Sequence, residues 1–143
     1  MTVIAWDGKT LAADKQSTIC DNAARVTKIH RVPGGLVAFS GCGSHAMELL
    51  AWFQAGADVV TYPKSRGESG AGALFITNAR EIRLYCDNSP YYETFEQETY
   101  ARGSGRDYAL AAMHMGKTAR EAVEVACALD INCGMGIDTL ELK

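Results

Sequence analysis

The chain has 143 residues, 48% of them hydrophobic and 22% charged, with a formal net charge of -3. This length suffices for one real core without disulfide or metal staples, and the balance of residues excludes a disordered chain. Lysines and arginines are scattered singly among acids, which argues against a nucleic-acid partner, and no window reaches the roughly 18 consecutive apolar residues of a membrane span.

The stretch from Met1 to Gly8 has neither the basic n-region nor the apolar h-region of a signal peptide. Cys20, Cys42, Cys86, Cys127 and Cys133 make an odd set without a C-x-x-C pair, which points to reduced thiols and a cytoplasmic location. Most of them are expected to be small buried apolar residues.

Val3 to Trp6 is β-branched and aromatic, and Asp7-Gly8 follows at once, a strong hairpin signal. Thr10 to Ala13 is the return strand, ending at Asp14. Gln16 to Ala24 is small and polar, read as a turn or short excursion. Val26 to Val32 alternates as a strand, with Val26, Lys28, His30 and Val32 on one face and Thr27, Ile29 and Arg31 on the other. Pro33-Gly34-Gly35 turns the chain, and Leu36 to Phe39 is a short apolar strand suited to a sheet covered on both faces. Ser40-Gly41-Cys42-Gly43-Ser44 is a glycine-rich junction into a helix from about His45 to Gln54, with Met47, Leu50 and Phe53 or Gln54 on its apolar side and Gly56 ending it.

Asp58 to Gly72, rich in glycine pairs, reads as a loop. Ala73 to Thr77 and Ile82 to Cys86 form a second hairpin across residues 78–81. Asn88-Ser89-Pro90 breaks the chain, and Tyr92 to Tyr100 is open between strand and irregular structure. Gly103-Ser104-Gly105 opens a helix from about Arg106 to Met115, stopped by Gly116. Thr118 and Glu121 form a capping box for a helix to about Leu129. Gly134-Met135-Gly136 turns into a closing strand, Ile137 to Leu142. Strands with helices grouped between them predict an α+β layered sandwich in one domain, residues 1–143, without repeats or linkers.

The chemistry converges on Thr2, Asp14 and Lys28. Removal of Met1 is expected because Thr2 is small, and it leaves a threonine with a free α-amine. Such an amine titrates near 8, so one residue supplies both a nucleophilic hydroxyl and a base. A lysine ammonium alongside favours the neutral, base-competent amine, and a buried ammonium needs a carboxylate partner. Lys28 and Asp14 fit those places.

Ala12-Ala13-Asp14-Lys15, Val26-Thr27-Lys28-Ile29, Ala38-Phe39-Ser40-Gly41, Gly103-Ser104-Gly105, and Asp130 with Cys133-Gly134, in that order, resemble proteasome β subunits and the HslV peptidase over nearly the whole chain. The resemblance implies a four-layer αββα sandwich of the Ntn-hydrolase type. The segment from Asp58 to Gly72 stands where that family carries a second long helix, so one helix layer is expected to be reduced. It further implies a threonine peptidase with Thr2 as nucleophile, Lys28 beside it, Asp14 orienting the lysine and Gly41 giving the oxyanion amide. Ser104, Asp130 and Cys133 would hold the amine and relay protons, with Cys133 standing where the family has serine, a better hydrogen-bond donor. The implied partners are an unfolded polypeptide substrate, a homo-oligomeric ring and an ATPase unfoldase; no cofactor, nucleic acid or membrane is called for. The hairpin before Asp14 is shorter than the family's, and trimming both arms by about two residues keeps Thr2 and Asp14 on their required faces.

Plainer readings stand beside these. A proteasome-like subunit that keeps the fold without activity is the alternative function, and an amidase acting on small molecules is a third reading. Lys28 taken alone is a solvated strand lysine, Asp14 a turn residue, Ser104 a helix cap and Asp130 a helix end. Cys42 and His45, three apart at a helix start, suggest a thiolate nucleophile without a third orienting group. Gly41 and Gly43 lack the Lys-Ser/Thr continuation of a phosphate loop, and His30 and His114 have no partners at metal-ligand spacing.

Overall fold

A computed structural model describes residues 1–67 and 69–143; the loop expected from Asp58 to Gly72 therefore includes one position outside the described residues. Two compact units make up the chain, residues 1–29 with 97–143, and residues 30–96.

The first unit is built on β1 (Ile4–Trp6) and β2 (Thr10–Asp14). Asp7 makes their turn: its Oδ1 accepts the Lys9 and Thr10 amides at 2.9 and 2.8 Å, while Gly8 takes the left-handed φ of 95° that the turn demands. Beyond β2 comes a finding the sequence did not announce. The polar stretch read as an excursion is a two-stranded hairpin, β3 (Gln16–Ile19) and β4 (Asn22–Arg25), turning at Cys20 and Asp21, both with positive φ. Its residues are largely exposed, so no buried face imposed an apolar alternation that could be read.

Residues 26–28 belong to no strand. The alternation expected from Val26 fails there: Val26 is exposed, and the strand β5 (Ile29–Val32) begins only after Lys28. β5 carries the chain into the second unit, where β6 (Gly35–Gly41) and helix α1 (Gly43–Gln54) follow. A 3-10 turn, Val59–Thr61, is the one helical piece between α1 and β7 (Ala71–Thr77) among the described residues, in line with a reduced helix layer. With β8 (Ile82–Tyr85) and β9 (Tyr92–Phe95) these strands form a five-stranded sheet in the order β5-β6-β7-β8-β9.

Helix α1 packs on β6 and β7, but not through the face expected. Its buried residues are His45, Ala46, Leu49, Trp52 and Phe53, and Met47 is exposed. The stripe at positions 45, 49, 52 and 53 has helical spacing, but it begins with a histidine, which a search for apolar residues passes over. His45 is satisfied where it lies: Nδ1 accepts the Ala71 amide at 2.8 Å and Nε2 reaches the Pro63 carbonyl at 2.7 Å. Trp52, Phe53, Phe75 and Tyr85 meet with ring centroids 5.1–5.8 Å apart, the aromatic centre of this unit.

The chain returns to the first unit as β10 (Tyr100–Arg102), so the ambiguous run from Tyr92 to Tyr100 resolves into parts of two strands in different sheets. Helices α2 (Arg106–His114) and α3 (Ala119–Leu129) follow, then β11 (Ile137–Glu141). The sheet order is β10-β1-β2-β11, antiparallel throughout. The expected capping box is present, Thr118 and Glu121 satisfying each other's amides. Asp7 also reaches the start of α3, its Oδ2 accepting the Ala119 amide at 2.8 Å, which ties the first turn to the last helix.

The core under α2 and α3 is unusually small-grained: Val3, Ala5, Ala12, Ala101, Ala109, Ala112, Ala122, Val123 and Ala126 carry it with Met113 and Cys133. Alanines let helix and sheet approach closely. Ile4, Trp6, Leu11 and Ala13, on the opposite face of β1 and β2, are buried as well, so these strands are covered on both sides. The cysteines depart from expectation. Cys133 is buried, Cys42, Cys86 and Cys127 are half-buried and Cys20 is exposed at the β3–β4 turn, all as free thiols.

The face of α1 can be tested directly. Phe53→Ala removes the centre of the aromatic cluster and is expected to cost about 3–5 kcal/mol, whereas exposed Met47→Ala stays within about 0.5 kcal/mol, both read from urea denaturation.

Candidate active site

Thr2 precedes β1, Asp14 ends β2, and Lys28 lies in the unpaired stretch before β5; the first unit brings all three together. Lys28 Nζ lies 3.1 Å from Thr2 Oγ1, 2.7 Å from Asp14 Oδ1 and 3.0 Å from the Met1 carbonyl oxygen. An ammonium has three hydrogens, and each has an acceptor. Asp14 is fully buried and Lys28 is 7% exposed, so this ion pair is held out of water.

A charge so placed must be satisfied completely, or it destabilises the fold. Asp14 meets that demand with four donors. Oδ1 accepts the Val3 amide at 3.1 Å besides the lysine, and Oδ2 accepts the amides of Gln16 and Gly134 at 3.3 and 3.1 Å. The carboxylate thus joins β1, the end of β2, the start of β3 and the loop before β11. The register Ile4↔Ala13 runs on to Val3 opposite Asp14, whose amide donates to the Val3 carbonyl at 3.2 Å; Thr2 stands one residue further out at the open end of the hairpin, and the lysine bridges it to Asp14.

On the other side of Thr2 is the turn Gly103-Ser104-Gly105. The Gly105 amide donates to the Thr2 carbonyl at 3.1 Å, and Ser104 Oγ lies 3.3 Å from both the Thr2 nitrogen and its carbonyl oxygen. Gly103 has φ of 100°, and a Cβ there would stand 2.1 Å from the Thr2 carbonyl oxygen. A Cβ on Gly105 would meet Val3, Ala126 and Cys133 at 2.9–3.1 Å. These two glycines let the turn press against the strand end that carries Thr2.

Ser104 Oγ is 3.9 Å from Cys133 Sγ, which in turn donates to Asp130 Oδ2 at 3.4 Å. Asp130 ends α3, as its plain reading held, and its Oδ1 accepts the Asn132 amide at 2.9 Å. That amide, with the hydrogen bonds from Cys133 and Ser104, lowers its pKa. Burial pushes the Cys133 thiol up to about 12, with the Asp14 charge adding to it, and burial pushes Cys127 up to about 11. Six of the seven expected residues therefore lie in one constellation: Thr2, Asp14, Lys28, Ser104, Asp130 and Cys133. Gly41 belongs to the other unit, where it ends β6 with φ of 98°; a Cβ there would meet the Gly70 carbonyl oxygen at 2.5 Å.

The residue the sequence reading did not single out is Lys15. Its ammonium lies 2.6 Å from Asp138 Oδ2 and 3.2 Å from Thr27 Oγ1, and Lys15 and Thr27 are the chain neighbours of Asp14 and Lys28. Its signal in the sequence is its place, next to Asp14. Cys42 and His45 do not form a catalytic pair. Both His45 nitrogens are engaged by backbone groups, and Cys42 Sγ lies 3.3 Å from Ser44 Oγ, the contact that most lowers its thiol pKa. Among the described residues no group of three His, Cys, Asp or Glu side chains could hold a metal ion, and no helix is long and apolar enough to cross a membrane.

Thiol chemistry checks these environments. At pH 7.5, iodoacetamide is expected to modify Cys20 and Cys42 and to leave Cys127 and Cys133 intact until the protein is unfolded, as read by peptide mapping. Because the folded pKa of Cys133 is raised, its thiol favours the folded state below the usual thiol range. That contribution is lost as pH rises from about 9 to about 12, and Cys133→Ser is expected to flatten the loss in this window.

No protein-family model and no curated protein matches the chain. Solved structures do. BPH of Thiobacillus denitrificans in complex with epoxomicin superposes with a TM-score of 0.74 at 22% identity, covering 100% of both chains. A second structure of BPH from the same organism gives 0.72 at 21% identity over 100% of this chain and 99% of that one. Eukaryotic HslV from Trypanosoma brucei gives 0.71 at 20% identity over 99% of this chain and 98% of its own. The chain is thus an α+β protein with the Ntn-hydrolase fold of BPH and HslV.

Proposed function

We propose that the protein is a threonine peptidase subunit that uses Thr2 as an N-terminal nucleophile once Met1 has been removed. The observation that carries this reading is the contact of a buried lysine ammonium with the Thr2 hydroxyl, 3.1 Å, backed by Asp14 at 2.7 Å. A strand-end threonine with a purely structural role has no need of a desolvated charge against its hydroxyl.

With Met1 gone, the Thr2 nitrogen becomes a primary amine beside Ser104 Oγ. The neutral amine takes the hydroxyl proton as Oγ1 attacks the scissile carbonyl, and the same proton passes to the departing amine. The product is an ester of Thr2 with the acyl half of the substrate, which water then hydrolyses, releasing the acid and restoring the hydroxyl. Lys28 lowers the cost of the developing alkoxide and, being a like charge, disfavours protonation of the amine. Loss of Met1 also removes the carbonyl that occupies the third Lys28 hydrogen, freeing a donor at the reacting oxygen. Ser104, Cys133 and Asp130 orient the amine and carry protons. Gly41 is assigned the oxyanion amide by resemblance alone.

The resemblance and the shared fold support the remaining assignments. The whole chain works as one domain in the cytoplasm and assembles into a homo-oligomeric ring. Its substrate is unfolded polypeptide, delivered by an ATPase unfoldase. The bound epoxomicin of BPH makes that epoxyketone the natural probe here. The alternative is an inactive proteasome-like subunit that retains Met1. With Met1 in place its carbonyl completes the Lys28 shell, and the Thr2 nitrogen is a peptide amide.

Peptide turnover and the intact mass of the N-terminus separate the two. The active reading expects a chain beginning at Thr2. Thr2→Ala should lower turnover by at least about a thousandfold, and Lys28→Met by about a hundredfold or more. Thr2→Ser, which keeps hydroxyl and amine, should retain measurable turnover. A chain still beginning at Met1, or Thr2→Ala with undiminished turnover, overturns it.

A further inference from the structure

Lys28 lies on a segment without ladder bonds: residues 26–28 lie between β4 and β5 and belong to neither. Something else must hold the lysine in line with Thr2. We propose that Lys15, anchored by Asp138, is the positioning residue that fixes Thr27 and so aims Lys28 at the Thr2 hydroxyl; this rests on the peptidase reading of the site.

Three contacts make the case. The Lys15 carbonyl accepts the Val26 amide at 2.8 Å, which holds the start of the segment. The Lys15 ammonium donates to Thr27 Oγ1 at 3.2 Å, which holds the side chain just before Lys28. Thr27 and Lys28 are chain neighbours, and while Thr27 is held by Lys15, Lys28 reaches into the buried pocket with Asp14, so the first contact limits where the second side chain can go. The third contact is the 2.6 Å ion pair with Asp138 on β11, which keeps the ammonium in place. The Lys15 amide meanwhile donates to the Gly134 carbonyl at 3.0 Å, in the loop whose amide serves Asp14. Gly136 leaves room for the lysine stem, since a Cβ there would stand 3.3 Å from Lys15 Cδ. With side-chain exposures of 18% and 31%, Lys15 and Asp138 gain little stability from their pairing, which leaves geometry as its use.

The test compares Lys15→Met, Lys15→Arg and Asp138→Asn by peptide turnover and by the 13C methyl resonance of Thr2, assigned through its loss in Thr2→Ala. Lys15→Met and Asp138→Asn should lower kcat by about ten- to a hundredfold with KM held within about twofold, as expected for a misplaced catalytic group. The Thr2 methyl resonance should move toward its position in Lys28→Met. Lys15→Arg, still cationic, should recover most of both. If folded Lys15→Met and Asp138→Asn keep the wild-type kcat and Thr2 resonance, or change KM alone, the proposal fails. If the wild type turns over no peptide yet the Thr2 resonance moves as described, Lys15 positions Lys28 and the peptidase reading is the part that falls.

Discussion

A lysine ammonium and an aspartate carboxylate have been taken out of water together, and the first unit is arranged around satisfying them. Desolvating each ion costs several kcal/mol, which close pairing offsets only when every remaining hydrogen and lone pair finds a partner. Here the partners come from separate stretches of chain: Val3 before β1, Gln16 at β3, Gly134 before β11, and Thr2 with Met1 at the start. Displacing any of these stretches strands a buried charge. The amino-terminal strand, the hairpin and the closing loop are therefore fixed relative to one another by electrostatics as much as by apolar contact. In the proposed peptidase this pair keeps the neighbour of Thr2 in place before substrate arrives, and preorganised charge is what lowers a barrier in a desolvated environment.

Steric economy does the rest. Gly103 and Gly105 bring the turn before α2 against Thr2 and Val3, and the alanines of β2, α2 and α3 let the helices settle close enough for Cys133 and Asp130 to approach Ser104. In this packing a thiol at Cys133 is held neutral by burial and by nearby carboxylates. It donates to Asp130 more weakly than a hydroxyl would. The chain of contacts behind Thr2 is correspondingly soft at this one link, whereas the lysine side of the site is tightly bonded.

Much of this was legible in the sequence, for identifiable reasons. Asp-Gly at the first turn, the capping box at Thr118 and the glycine-rich junction at Gly41 are local signals whose residues act on their own neighbours, so they survive without knowledge of the fold. The grouping of Thr2, Asp14 and Lys28 was legible because a buried ammonium must have a carboxylate, and because the motifs around these residues stand in the order of the family they resemble. What escaped was governed by burial that only the tertiary structure sets. The β3–β4 hairpin is mostly solvent-exposed and so carries no apolar alternation. The face of α1 begins at His45, a polar residue made acceptable by two backbone partners. Lys15 looked like an unremarkable charge, because its partners Thr27 and Asp138 are distant or unrelated in sequence.

The most direct measurement is the adduct formed with epoxomicin, an electrophile that consumes the hydroxyl and the free amine of one threonine together. After incubation and tryptic digestion, the account predicts the inhibitor's full mass on the peptide running from Thr2 to Lys9, with Thr2 as its first residue. An unmodified peptide that still carries Met1, or an adduct on any other residue, would contradict it.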